Sequence, residues 1–193
     1  MTTPRRAHLL ALLITAAFVG LGSLWIAWPG LEYDEARFVV ASYPSPDVQA
    51  AYTMHFRGRP VVLMVVSYMG ALKGWLYIPI PKAWPPSAAL VRLPMLLVGA
   101  AGLYCFYHFA RRAFGTTAAL AALALAATDP IYLFTTRLDW GPVAIQHFCL
   151  LGGCLAFLKW WQQRRASRRS AIAFAPPSAA PTRSCGNGKN RTR

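Results

Sequence analysis

The chain has 193 residues, 56% of them hydrophobic and only 13% charged, with 20 Lys+Arg against 6 Asp+Glu and a net charge of +14. Soluble chains carry roughly 25% charged residues, so this balance, with a mean hydropathy of +0.36, excludes most soluble classes. The basic excess alone would suit a nucleic-acid binder. Long uncharged stretches point instead to a membrane protein, with room for about four spans of roughly 20 residues each.

After a basic N-terminus (residues 1–7), the first apolar run is His8 to Trp28, 21 residues without a formal charge. As a helix it would be about 31 Å long, matching a hydrocarbon core. A cleaved signal peptide would have an apolar region of about 7–15 residues and a small-residue cleavage site. This run is longer and ends in Trp25, Trp28 and Pro29, an interfacial anchor, so it reads as an uncleaved span over residues 8–28. Further spans are predicted over residues 93–110, 113–128 and 143–161.

Val61 to Ile80 is also apolar, but it carries Lys73 and is bounded by Pro60, Pro79 and Pro81. The positive-inside rule decides whether it crosses. If it does not, Arg5/Arg6, Arg111/Arg112 and the run Arg164, Arg165, Arg168, Arg169 share one side; if it does, they are split. The four-span arrangement puts 13 basic residues and no acid inside, against 7 basic residues and all 6 acids outside. Both termini are then cytoplasmic, and the basic excess is a topology signal that needs no nucleic acid.

The fold class predicted is an all-α integral membrane protein, with about four transmembrane helices plus interfacial or re-entrant helices in a first outer loop, residues 29–92. In that loop Trp75, Tyr77 and Trp84 suit headgroup depth. Lys73 is placed to snorkel, and Gly70/Gly74 form a small-residue pair suited to close helix approach. A second outer loop covers residues 129–142, where Asp129-Pro130 reads as an N-cap and first-turn proline restarting a short helix. The tail, residues 162–193, is basic, and from Ala171 onward it has the composition of a disordered segment. Cys105, Cys149 and Cys154 read as small hydrophobes in helices, and Cys185 falls in the tail.

Three of the six acids, Glu32, Asp34 and Glu35, cluster directly after the first span. One reading is structural, with Asp34 capping a helix through Ala36 to Ser42. The other is chemical: a carboxylate at the mouth of a bundle is placed to act as a general base or to bind a cation. Arg137 and Asp139 precede a Gly-Pro in the second loop, and an exposed pair would add under about 1 kcal/mol, so a polar site explains them better than stability. His55 and His147 lack a paired metal-ligand spacing, and no Walker-type, dinucleotide-binding or metalloprotease motif occurs.

The order of these features resembles polyprenol-phosphate-sugar-dependent membrane glycosyltransferases of the GT-C fold, in particular the protein mannosyltransferase-like and aminoarabinose transferase-like branch. It is carried by one span, then Asp34-Glu35, then Arg59-Pro60, then residues 70–80, Val91-Arg-Leu-Pro94, Ala110-Arg-Arg-Ala-Phe-Gly115 and Ala126-Ala-Thr-Asp-Pro130. The resemblance implies the N-terminal portion of such an enzyme, integral to a bacterial cytoplasmic membrane. Its partners would be a polyprenyl-phosphate-linked sugar, the lipid bilayer and an acceptor lipid, glycan or protein. It implies that Asp34, with Glu35 beside it, is the catalytic carboxylate, acting on the acceptor hydroxyl or holding a divalent metal ion. Arg59 would contact the lipid phosphate. The residues themselves agree: a phosphate leaving group needs cations, and the outer side offers Arg37, Arg57, Arg59, Lys73, Arg92 and Arg137, with Asp139 beside Arg137 in the candidate substrate-binding set. The alternative is a non-catalytic four-helix membrane protein that binds lipid phosphate or a partner subunit.

Overall fold

The computed structural model describes residues 3–40, 42, 50–67, 69–80, 87–138 and 142–173. Lys82, Trp84, Asp139, Cys185 and the segment from residue 174 onward, expected to be disordered, lie outside the described residues. In chain order the elements are α1 (Pro4–Ser23), α2 (Tyr33–Val40), β1 (Tyr52–Phe56), β2 (Arg59–Val66), β3 (Met69–Gly70), α3 (Leu72–Tyr77), α4 (Ala88–Phe114), α5 (Thr116–Ala127), α6 (Pro130–Arg137) and α7 (Val143–Ala173). The chain divides into two compact units, Met1–Ala156 and Phe157–Arg193.

Among the described residues three helices are long and apolar enough to cross a membrane: Pro4–Ser23, Ala88–Phe114 and Val143–Ser167. A fourth candidate is the pair α5 and α6, bent by 57°. The bend has a local cause. Asp129 caps α6 by accepting from the Tyr132 amide at 2.6 Å, and Pro130 has no N–H to continue the helix before it. Gly115 separates α4 from α5 with φ +89, a backbone that glycine adopts without penalty.

The segment between α2 and α3 departs from the expectation of interfacial helices. Tyr52–Phe56, Arg59–Val66 and Met69–Gly70 form an antiparallel three-stranded sheet in the order β1-β2-β3. Val61, Val62, Val65 and Val66 favour extended backbone. Phe56 pairs with Arg59 across a two-residue turn, and Arg57 (φ 50) and Gly58 (φ 74) both take the positive φ that such a turn requires. Among its described residues, Val61 to Ile80 is therefore strand and a short helix, without a helix of spanning length. Gly70 falls on β3 and Gly74 on α3, so the two do not share a helix face. Lys73 is buried beneath the rings of Phe38 (5.4 Å) and Tyr77 (5.8 Å) instead of snorkelling.

Alanines let α1, α4 and α5 pack closely around Phe18, Leu96, Leu103, Tyr107 and Leu123. A second cluster joins Val39 of α2, Tyr77 of α3, Val91 and Met95 of α4, and Ala144 of α7. A third sets Phe38 against Val65 and Ala71. Successive residues of α2 thus enter two cores, which fixes the rotation of the helix that carries the acids. At the far end of the chain α7 continues through the arginine run to Ala173, so the first residues of the tail expected to be disordered are helical, because Gln, Arg and Ala are strong helix formers.

Candidate functional site

The acids are arranged by a capping interaction. Glu32, not Asp34, is the residue before the first turn of α2. Its carbonyl accepts from the Ala36 amide at 3.0 Å, and its own amide donates to Glu35 Oε2 at 3.0 Å. This is the reach-back half of a capping box. Asp34 sits within the first turn, and as adjacent helical residues are about 100° apart, it faces away from Glu35. Its side chain is exposed and makes no hydrogen bond or ion pair among the described residues.

Glu35 is fully buried and faces Arg92 in the second turn of α4. Arg92 Nε donates to Glu35 Oε1 at 2.7 Å, and Nη2 donates to Oε2 at 2.6 Å. The same guanidinium donates from Nη1 to the carbonyls of Ile26 (2.7 Å) and Trp28 (3.2 Å), and from Nη2 to that of Gly30. The fixed fork of arginine N–H donors is used on a carboxylate and three backbone oxygens together. Gly30 has φ +117, so a residue with a side chain would be strained at the point where the loop turns its carbonyl to Arg92.

A second arginine holds the same loop from another helix. Arg137, at the last turn of α6, donates from Nη2 to the carbonyls of Trp25 (2.7 Å) and Trp28 (3.4 Å). Trp28 O is thereby shared between Arg92 and Arg137. Trp25, Trp28 and Arg137 line an open cleft of about 490 Å³, beside the loop that leads into the acidic turn.

The remaining sequence candidates are dispersed. Arg59 is exposed at the start of β2, and no hydrogen bond or ion pair joins it to another candidate among the described residues. Arg37 folds back onto Tyr33, donating to its hydroxyl at 3.2 Å. Lys73 is closed off from solvent. His55 is on the exposed strand β1, and His147 packs its ring on Tyr132 at 5.4 Å. Among the described residues no group of three or more His, Cys, Asp or Glu is arranged to hold a metal ion. Glu35 has both oxygens engaged, so this donor set does not fit a metal cage.

Sequence reasoning treated Glu35 and Arg92 separately because 57 residues divide them. One signal was present: a charge within an apolar helix demands a partner. Starting the second span at residue 93 hid it, whereas α4 begins at Ala88 and encloses Arg92. The carbonyls of Ile26, Trp28 and Gly30 had no sequence signal, since backbone groups are the same at every position.

These features define a mostly helical integral membrane protein, in which arginines of α4 and α6 clamp the loop between α1 and α2. Residues 86–175 match the model of the dolichyl-phosphate-mannose-protein mannosyltransferase family. The match supports a membrane glycosyltransferase of the GT-C type, in agreement with the resemblance read from the sequence. The matched stretch contains both Arg92 and Arg137. No curated protein and no solved structure matches the chain.

Proposed function

We propose that the chain is part of a membrane glycosyltransferase machinery that moves a sugar from a polyprenyl-phosphate donor to an acceptor hydroxyl at the outer face of the membrane. The observation that carries this reading is the different engagement of two adjacent acids. Glu35 is committed to Arg92, while Asp34 is held on the same turn with its carboxylate in solvent.

In this reading Asp34 takes the proton of the acceptor hydroxyl as its oxygen attacks the anomeric carbon. The bond from that carbon to the lipid phosphate oxygen breaks, and the phosphate leaves with the electron pair. Negative charge grows on that phosphate, so cations placed around it lower the barrier. Arg59 on the hairpin and Arg137 at the tryptophan-lined cleft are the candidate cations; Asp139, outside the described residues, is kept as a substrate-binding candidate. Glu35 and Arg92 act as positioning residues that fix the loop and the turn bearing Asp34. Lys73 supports the packing beneath Phe38 and Tyr77.

The test is release of polyprenyl phosphate by the purified chain in lipid nanodiscs, using a panel of polyprenyl-phosphate hexoses and pentoses with acceptor. Release that Asp34→Asn removes supports the proposal. A folded wild-type chain that binds polyprenyl phosphate but releases none would favour the non-catalytic lipid-phosphate-binding reading.

A further inference from the structure

The C-terminal stretch of α7 carries a second basic site. Trp160, Gln163, Arg164 and Ser167 have the spacing i, i+3, i+4, i+7, which puts them on one helix face, and together they line an open cleft of about 470 Å³. The Arg164 guanidinium lies 4.5 Å from the Trp160 ring centroid. One residue on, Arg165 lies 4.9 Å from the Trp161 ring. All of these side chains are exposed. The sequence has no acid after Asp139, whereas Lys159, Arg164, Arg165, Arg168 and Arg169 lie in this helix, so no carboxylate of this stretch neutralises the arginines.

The chemistry of the face is one-sided. A guanidinium stacked on an indole keeps its N–H groups in its own plane, free for bidentate contact with an oxyanion. The Trp160 indole N–H, the Gln163 amide and the Ser167 hydroxyl add neutral donors on the same face. Such a face attracts a phosphate and repels an ammonium group. Tryptophans concentrate at the headgroup depth of a bilayer, and this stretch closes a helix long and apolar enough to span. The abundant phosphate at that depth is a phospholipid's, far in excess of a polyprenyl-phosphate donor. We infer that the Trp160–Gln163–Arg164–Ser167 face binds the phosphodiester headgroup of an anionic phospholipid. Zwitterionic lipids are selected against because their cationic ends meet Arg164 and Arg165.

The inference is tested with the full chain in nanodiscs of equal parts phosphatidylglycerol and phosphatidylcholine, counting the lipids retained on the protein by native mass spectrometry. The wild type retains phosphatidylglycerol preferentially. R164Q/R165Q lowers that preference by about fivefold per arginine, and Trp160→Leu lowers it as well. R191Q/R193Q removes the same charge from the tail and leaves it unchanged. Equal loss in the two double variants overturns the site in favour of diffuse tail electrostatics. Absence of any preference in the wild type overturns it outright. Displacement of the lipid by millimolar inorganic phosphate would reassign the face to soluble phosphate and overturn the lipid assignment.

Discussion

Glu35 and Arg92, 57 residues apart in sequence, form a bidentate ion pair at 2.6 and 2.7 Å with neither side chain exposed to solvent. Burying two charges costs several kcal/mol per ion unless their remaining polar groups are also satisfied. Here they are: the carboxylate also accepts the Glu32 amide, and the guanidinium also holds the carbonyls of Ile26, Trp28 and Gly30. The pair joins the loop after α1, the first turn of α2 and the second turn of α4.

Breaking the pair from one side should therefore be worse than removing it whole. Arg92→Leu and Glu35→Leu are each expected to destabilise by about 3–5 kcal/mol, because each leaves a buried charge unpaired. The double variant should cost less than the sum of the two. Reversible unfolding in mixed micelles measures all three, and strictly additive losses would contradict the coupling.

Asp34→Asn keeps the shape and the polarity of the first turn but removes the base. In a catalytically competent form of the protein, sugar transfer is expected to fall at least about 10²-fold, with the unfolding midpoint unchanged. Near-full turnover combined with a lowered midpoint would make Asp34 a structural residue.

Close approach of α4 and α6 depends on Gly99, whose missing side chain leaves room for the Thr136 methyl. Tyr132 seals the contact by donating its hydroxyl to Gly99 O at 2.9 Å. Gly99→Ala should destabilise by about 1–3 kcal/mol through overpacking. Thr136→Ser, which deletes the obstructing methyl, should recover most of that in the double variant. A double variant as weak as Gly99→Ala alone would rule out the methyl as the obstacle.

Arg137 holds the tryptophan loop from the solvent side, so its loss should loosen that loop without unfolding the bundle. For Arg137→Gln we expect a loss of about 1 kcal/mol and roughly fivefold faster amide exchange at Trp28, whose N–H donates to Trp25 O at 2.9 Å. Exchange in α5 should not change. Uniform acceleration along the chain would mean that Arg137 supports global stability and not the loop.

Several elements were legible because they follow from local rules. Uncharged runs of the length of a bilayer identify α1, α4 and α7 as candidate spans, and Asp129-Pro130 marks the restart at α6 through one side-chain cap and one missing donor. The hairpin was missed because Val61 to Ile80 is apolar without clear period, which fits a strand or a buried helix equally. Its deciding feature, positive φ at Arg57 and Gly58, is set by pairing Phe56 with Arg59.

The acids show where sequence stops deciding. Composition placed three of the six after the first span and made that turn the candidate site. It did not divide their roles, since Asp34 and Glu35 are chemically near equivalents one residue apart. That division came from packing: Phe38 and Val39 lock α2 into two cores, and the resulting rotation turns Glu35 to Arg92 and Asp34 to solvent. The sequence by itself determined a membrane-spanning helical chain with half of its carboxylates in one polar turn, because hydropathy and charge act residue by residue. Only the tertiary structure decided which carboxylate is neutralised, because an ion pair across 57 residues exists only once two helices have docked.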